Sequence, residues 1–259
     1  MRKAAPVAYF FCILLLPVLA GCRPIQDPAA RSDAFYQVSV INALLQGNYD
    51  GSVTVGELLQ HGDTGLGTFD HLNGEMIVQD GVVYRAKTDG TVEVVEPSET
   101  VPFAAVAYFD EDIAGGELTG IADLDGMKAA LDNIIAAQGG DFNQFYLAQI
   151  HGTFDLAHVR SVPVQSKPYQ PLAEVTKNQV EFNYENIPGV MIALRFPDHM
   201  QGINVTGWHL HFVSDDKSKG GHVLDVRLSQ GSVSLDVIHE LALEQPVTAD
   251  FASLDLSGD

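Results

Sequence analysis

Six segments in the second half of the chain, residues 145–150, 153–162, 190–196, 203–213, 222–228 and 232–239, are rich in Val, Ile, Leu and aromatic residues. Segments of this kind bury themselves by pairing, so they commit the chain to a fold built on sheet. The first half adds a hairpin, residues 74–81 and 82–86 joined through Gln79-Asp80-Gly81, with further strands expected over 91–95 and 101–109. One clear helix is expected: Asp125 is a candidate cap, Met127, Leu131, Ile134 and Ile135 recur at helical spacing, and Gly139-Gly140 ends it. A short helix is expected over 41–45, started by Ser39 or Asn42, and Thr54-Val-Gly-Glu57 fits a capping box. Gly62, Gly65 and Gly67 predict a tightly bending backbone over 62–69 rather than a packed element. The expected class is therefore α/β in the α+β sense: a mixed, mostly β-sheet architecture in two closely packed subdomains with a few short helices.

The N-terminus bounds where such a fold works. Arg2 and Lys3 precede an apolar run from Val7 to Ala20, and Leu19-Ala20-Gly21-Cys22 closes it. The run is too short to span a bilayer, for which roughly 20 residues are needed, and it reads as a secretory signal. Leu-Ala-Gly-Cys resembles a bacterial lipobox, which implies lipidation of Cys22 and an exported chain anchored in the cell envelope, on its periplasmic or cell-surface side. Residues 1–22 are thus expected to be a lipoprotein signal, 23–34 a flexible linker, 35–165 an N-terminal sheet-and-helix subdomain and 166–259 a C-terminal sheet subdomain. The cluster Pro163, Pro168 and Pro171 marks the expected junction.

The only cysteines are Cys12 and Cys22, so the folded part has no thiol. It forms no disulfide, and any metal site must use His and carboxylate groups. Past the two basic residues of the signal, 12 basic residues face 34 acidic ones, a formal charge of −22. Such a chain is repelled by nucleic acid and by anionic lipid, which leaves the acyl chains as the expected route to the membrane.

The sharpest chemical signal is Gly207-Trp-His209-Leu-His211-Phe-Val, a polar loop over 214–221, then His222-Val-Leu-Asp. On a strand, His209 and His211 project from one side with Cα atoms roughly 6–7 Å apart; on a helix they would splay by roughly 200°. A hairpin centred between Asp216 and Lys217 sets His222 opposite His211 on that side. Three neutral imidazoles suit zinc and leave coordination positions open. Surface histidines in an edge hairpin are the plainer alternative. His61, His71, His151, His158, His199 and His239 have no comparable partners. Arg160, in an alternating strand with few other charges, is a candidate for gripping a carboxylate, against the reading of a surface arginine; Glu75, entering a strand, is a candidate acid or base, against that of a hairpin-edge charge.

Three blocks resemble α-acetolactate decarboxylases: Gly-Glu-Leu-Leu-Gln-His-Gly-Asp-Thr-Gly-Leu-Gly-Thr-Phe-Asp-His-Leu-Asn-Gly-Glu (56–75), Val-Arg-Ser-Val-Pro-Val-Gln-Ser-Lys-Pro-Tyr (159–169), and Gly-Trp-His-Leu-His-Phe through Gly-Gly-His-Val-Leu-Asp (207–225). The resemblance runs from about Phe35 to Phe251. It implies zinc on His209, His211 and His222, substrate contact by Arg160, proton handling by Glu75 and a pocket lined by Thr68, with the metal site on a β-hairpin near the subdomain junction. The implied reaction converts (S)-2-acetolactate to (R)-acetoin and CO2, on the route to acetoin and 2,3-butanediol. The implied partner is a small 2-hydroxy-3-keto acid, and a homodimer is one assembly the resemblance allows. Family members run on into a tail whose glutamate folds back toward the metal. Here that glutamate has no counterpart, and Asp255 and Asp259 are the nearest substitutes. Two other readings of the same histidines stand beside this one: a non-catalytic zinc-binding lipoprotein, and a different metalloenzyme such as an oxygenase or hydrolase.

Overall fold

A computed structural model describes Met1 and residues 33–257. The signal, Cys22, the linker up to residue 32 and Asp259 lie outside the described residues. In chain order the elements are β1 (Ala34–Val38), α1 (Ile41–Leu45), β2 (Val53–Thr54), α2 (Val55–Leu58), β3 (Thr64–Thr68), β4 (Glu75–Gln79), β5 (Val82–Ala86), β6 (Val92–Val94), β7 (Thr100–Val101) and β8 (Phe103–Ala107). There follow β9 (Ile113–Ile121), α3 (Leu124–Ala137), β10 (Phe145–Ser161), α4 (Leu172–Val175), β11 (Val180–Phe196), β12 (Gly207–Ser214), β13 (Gly220–Ile238), β14 (Glu240–Glu244) and α5 (Ala249–Ala252).

The strands form two main sheets. A seven-stranded sheet runs β14-β1-β8-β3-β4-β5-β6, antiparallel except that β14 lies parallel to β1. The second holds β10, β11, β12, β13 and β9, and because β10 also pairs with β13 its first four strands close into a ring. The chain thus passes from one sheet to the other between β8 and β9 and returns with β14. Leu66 and Ile77 of the first sheet meet Leu147, Ile192, Leu194 and Val213 of the second, and these facing side chains make the central core. Alternate residues of the same strands, Met76 and Val78 among them, pack on the other side with Val55 and Leu58 of α2. The buried side of α3, Met127, Leu131 and Ile135, packs on Leu210, Phe212 and Val226.

The β4–β5 hairpin, the Thr54–Glu57 capping box and the helix over 41–45 form as expected. Other details differ. The cap of α3 is Asp123, whose Oδ1 accepts from Gly126 N at 2.7 Å, while Asp125 sits inside the first turn. Neither Ser39 nor Asn42 caps α1; the N-cap position is Val40 and carries no side-chain bond. The glycine-rich stretch is a fully buried strand, β3, not a bend. A Cβ at Gly65 would lie 2.1 Å from Ala105 O, and one at Gly67 2.4 Å from Phe103 O. These glycines therefore let β3 pack tightly against β8. Segments 153–162 and 222–228 are not separate strands but the ends and starts of the long β10 and β13, which continue across Gly152 and Gly231.

Candidate active site

The second sheet carries one row of functional side chains across three neighbouring strands. His211 of β12 stands opposite His222 of β13, and His222 stands opposite Arg160 of β10. The hairpin register read from the sequence accounts for the first pairing. The second depends on an irregularity: between His158 and Val159 the register with β13 slips by one residue, so that Leu224 is extra. Without that slip Arg160 would face Val223 and the guanidinium and the imidazole would lie on opposite sides of the sheet. His209 lies two residues before His211 on the same side of β12.

The imidazoles converge. His222 Nδ1 lies 3.0 Å from His209 Nε2 and 3.2 Å from His211 Nε2. His211 is buried and donates its Nδ1–H to Met76 O at 2.7 Å, which leaves its Nε2 lone pair aimed at the cluster. His222 Nδ1 can donate to one neighbour at most, and His211 Nε2 has no hydrogen to give, so at least one of the two close contacts is left without a hydrogen bond. A cation removes that conflict. Nitrogens bonded to one tetrahedral zinc at about 2.0–2.1 Å stand about 3.3 Å apart, close to the separations here. Burial holds all three rings in the neutral, ligating form: it pushes His211 down to about 3, and holds His209 and His222 well below the ordinary imidazole range, with the Arg160 charge adding to the effect.

The first sheet supplies the other wall. Glu75, first residue of β4, is buried; its Oε2 lies 3.7 Å from His211 Nε2 and its Oε1 3.4 Å from Arg160 Nη1. Burial raises the Glu75 carboxyl above the usual range, and the neighbouring guanidinium opposes that rise. Thr68, paired with Glu75 across β3 and β4, donates to Gly74 O at 2.9 Å and so pins the turn that leads into Glu75.

A cavity of about 430 Å³ opens over these groups, and Thr68, Glu75, Arg160, His209, His211 and His222 all line it. All six residues singled out in the sequence around the histidine cluster therefore meet in one place. Sequence reasoning missed the apolar part of the lining, Ile41, Leu44, Leu45, Phe103 and Leu172, and the polar pair Gln201 and Asn204. The helical spacing of 41, 44 and 45 was the available signal for α1. Gln201 and Asn204 gave none. Asp255 does not substitute for a tail carboxylate: its Oδ1 accepts from Ser257 N and Oγ, and among the described residues the tail adds no group to the lining. His199 also lies outside the lining.

The fold and site define a two-sheet β protein with a partly open cavity lined by an arginine, a buried carboxyl and three converging imidazoles placed to hold a metal. The comparisons narrow the class. The α-acetolactate decarboxylase family model matches residues 35–258. An α-acetolactate decarboxylase of Methanosarcina mazei is 42% identical over 225 residues, 87% of this chain and 76% of the relative, and one from Klebsiella aerogenes is 38% identical over 91% of this chain and 89% of its own. The crystal structure of α-acetolactate decarboxylase from Bacillus subtilis strain 168 superposes with a TM-score of 0.82 at 34% identity, covering 87% of this chain and 94% of that one. The chain belongs to the α-acetolactate decarboxylase family and is a carboxy-lyase.

Proposed function

We propose that the protein decarboxylates (S)-2-acetolactate to (R)-acetoin with zinc on His209, His211 and His222. The observation that carries this reading is the Arg160–His222–His211 row with Glu75 against it. Neutral imidazoles without thiol or carboxylate ligands suit Zn²⁺, which when bound would offset negative charge developing on the substrate's neighbouring oxygens. Arg160 grips the substrate carboxylate and holds the C–CO2 bond in one orientation. When that bond breaks its electron pair stays on the substrate, CO2 leaves, and one proton must be added at the same carbon. Glu75, beside both Arg160 and His211, is the carboxyl group positioned to pass that proton to one face.

Metal analysis of the purified protein, joined to an assay of CO2 and acetoin release, tests the reading. It expects close to one zinc per chain and turnover that chelation abolishes. Zinc without turnover of any 2-hydroxy-3-keto acid, or iron in its place, overturns it. The lipobox-like Leu19-Ala20-Gly21-Cys22 further supports an exported, lipid-anchored protein. Metabolic labelling with a fatty acid tests that, and a Cys22→Ser chain that still takes up label refutes it.

A further inference from the structure

The chamber is larger than its proposed substrate requires. Acetolactate, with about nine non-hydrogen atoms, fills on the order of 130 Å³, the room of four or five liquid waters at ~30 Å³ each. The cavity holds about 430 Å³. Asn42, Gln201, Asn204 and Thr206 reach the lining, but most of the wall beyond the imidazoles, Glu75 and Arg160 is apolar. α1 turns Ile41, Leu44 and Leu45 to the lining, at the i, i+3, i+4 spacing of one helix side, and Leu172 of α4, Leu72 and Phe103 continue the apolar wall. Leu45 is 45% exposed, one of the few large apolar side chains among the described residues that are exposed rather than buried or half-buried. A leucine left wet at the mouth of an apolar chamber gains if a ligand covers it. The wall is also built firmly. α1 packs against α4, Ile41 and Leu44 join Tyr49, Leu72 and Phe103 in one buried cluster, and Gln46 Nε2 at the end of α1 donates to Asp255 O at 2.7 Å.

We propose that this site takes 2-hydroxy-3-oxo acids with an alkyl substituent of three to six carbons where acetolactate carries methyl, the chain lying along Ile41, Leu44, Leu45 and Leu172. The inference rests on the decarboxylase reading above and extends its substrate class. The chemistry is unchanged: CO2 leaves, the carbon that bore it gains a proton, and the product is the longer 2-hydroxy ketone. Arg160, Glu75 and the imidazoles hold the carboxylate and the adjacent oxygens, so the alkyl group has only the apolar side of the chamber to enter.

Two substrate series test this on the metal-loaded full-length protein, one lengthened at C2 and one at the acyl end. In at least one series kcat/KM should rise, by up to about fourfold per methylene, the value of ~0.8 kcal/mol for burying one CH2. Binding of the matching 2-alkyl-2-hydroxy acids, which lack the keto group and do not react, should tighten in parallel in calorimetry and show an increasingly negative heat-capacity change. Leu45→Trp and Leu172→Gln should each lower the long-to-short ratio of kcat/KM at least fivefold; Leu45 is exposed enough for its variant to fold. Turnover of acetolactate with a loss of a hundredfold or more at propyl in both series overturns the proposal and leaves the decarboxylase reading intact. Absence of turnover with acetolactate and every longer acid sinks the decarboxylase reading itself, and with it the extension.

Discussion

Arg160 and Gly221 show how single residues set this site. The Arg160 side chain is largely buried and pairs through Nη1 with Glu75 at 3.4 Å, so it has donors left for a substrate anion. Arg160→Ala should lower kcat/KM by 10²–10³, in the range for removing a preorganised charge from a water-poor site, with the metal still bound. Arg160→Lys should recover little, because a point charge cannot reproduce the planar fork. Near-normal turnover of either variant contradicts the role given to the guanidinium. Gly221 works through the backbone. At φ +151° it adopts a conformation side chains resist, and an added Cβ would lie 2.7 Å from Arg160 O. Gly221→Ala should therefore push β13 away from β10 next to His222, costing roughly 2 kcal/mol or more in stability and weakening metal binding. An unchanged melting temperature and metal affinity would count against that account.

At the scale of elements, the legible parts were those set by local spacing. His209, His211 and His222 could be brought together from the sequence because one hairpin contains all three and its turn fixes the register. Arg160 was readable as a candidate but not as a neighbour of His222. That pairing joins strands 62 residues apart and turns on the extra Leu224, which leaves no mark in a hydrophobic pattern. β3 was misread because Gly65 and Gly67 look like turn residues when their work is to admit a neighbouring backbone. β14 escaped notice because it is short, with Glu240, Ala242 and Glu244 exposed in alternation, and its parallel partner β1 is some 200 residues away. The slip itself can be tested. Deleting Leu224 removes the extra residue while Val223 still meets Val159 and His222 still meets Arg160, now in continuous register with His158 and Asp225. The shortened chain should therefore keep its sheet content by circular dichroism and its metal stoichiometry. Loss of metal from a folded chain would show that the bulge itself, and not the pairing alone, aims the row.

For the whole molecule, the join between the two sheets matters most, and it is acidic. The crossover from β8 to β9 is stitched to β13: Asp110 N donates to Asp236 Oδ2 at 3.1 Å, Asp112 N to Leu235 O at 3.1 Å, Val237 N to Asp112 Oδ2 at 3.1 Å, and Ser234 Oγ to Glu111. Asp236 is 2% exposed and no lysine or arginine pairs with it among the described residues. Burial first, then the nearby Asp112, Asp33 and Asp110, push its carboxyl up to about 7, against the pull of the Asp110 N–H. A carboxyl whose pKa is higher in the folded state than in the unfolded chain favours folding at low pH. Below about pH 4 both states hold the proton; from there to about pH 7 the unfolded chain releases it first, so stability falls as pH rises and levels off above pH 7. Three pH units at ~1.4 kcal/mol each cap the loss at about 4 kcal/mol, and relaxation of the seam lowers the realised figure to roughly 2 kcal/mol. Asp236→Asn keeps an acceptor for Asp110 N and removes the ionisation. It should raise the melting temperature by roughly 4–8 °C at pH 8 and by less than half as much at pH 5, and added salt should shrink the gain in a chain this acidic. Melting curves of the two proteins at both pH values decide it, and an equal shift at pH 5 and pH 8 would mean that Asp236 does not titrate across this seam.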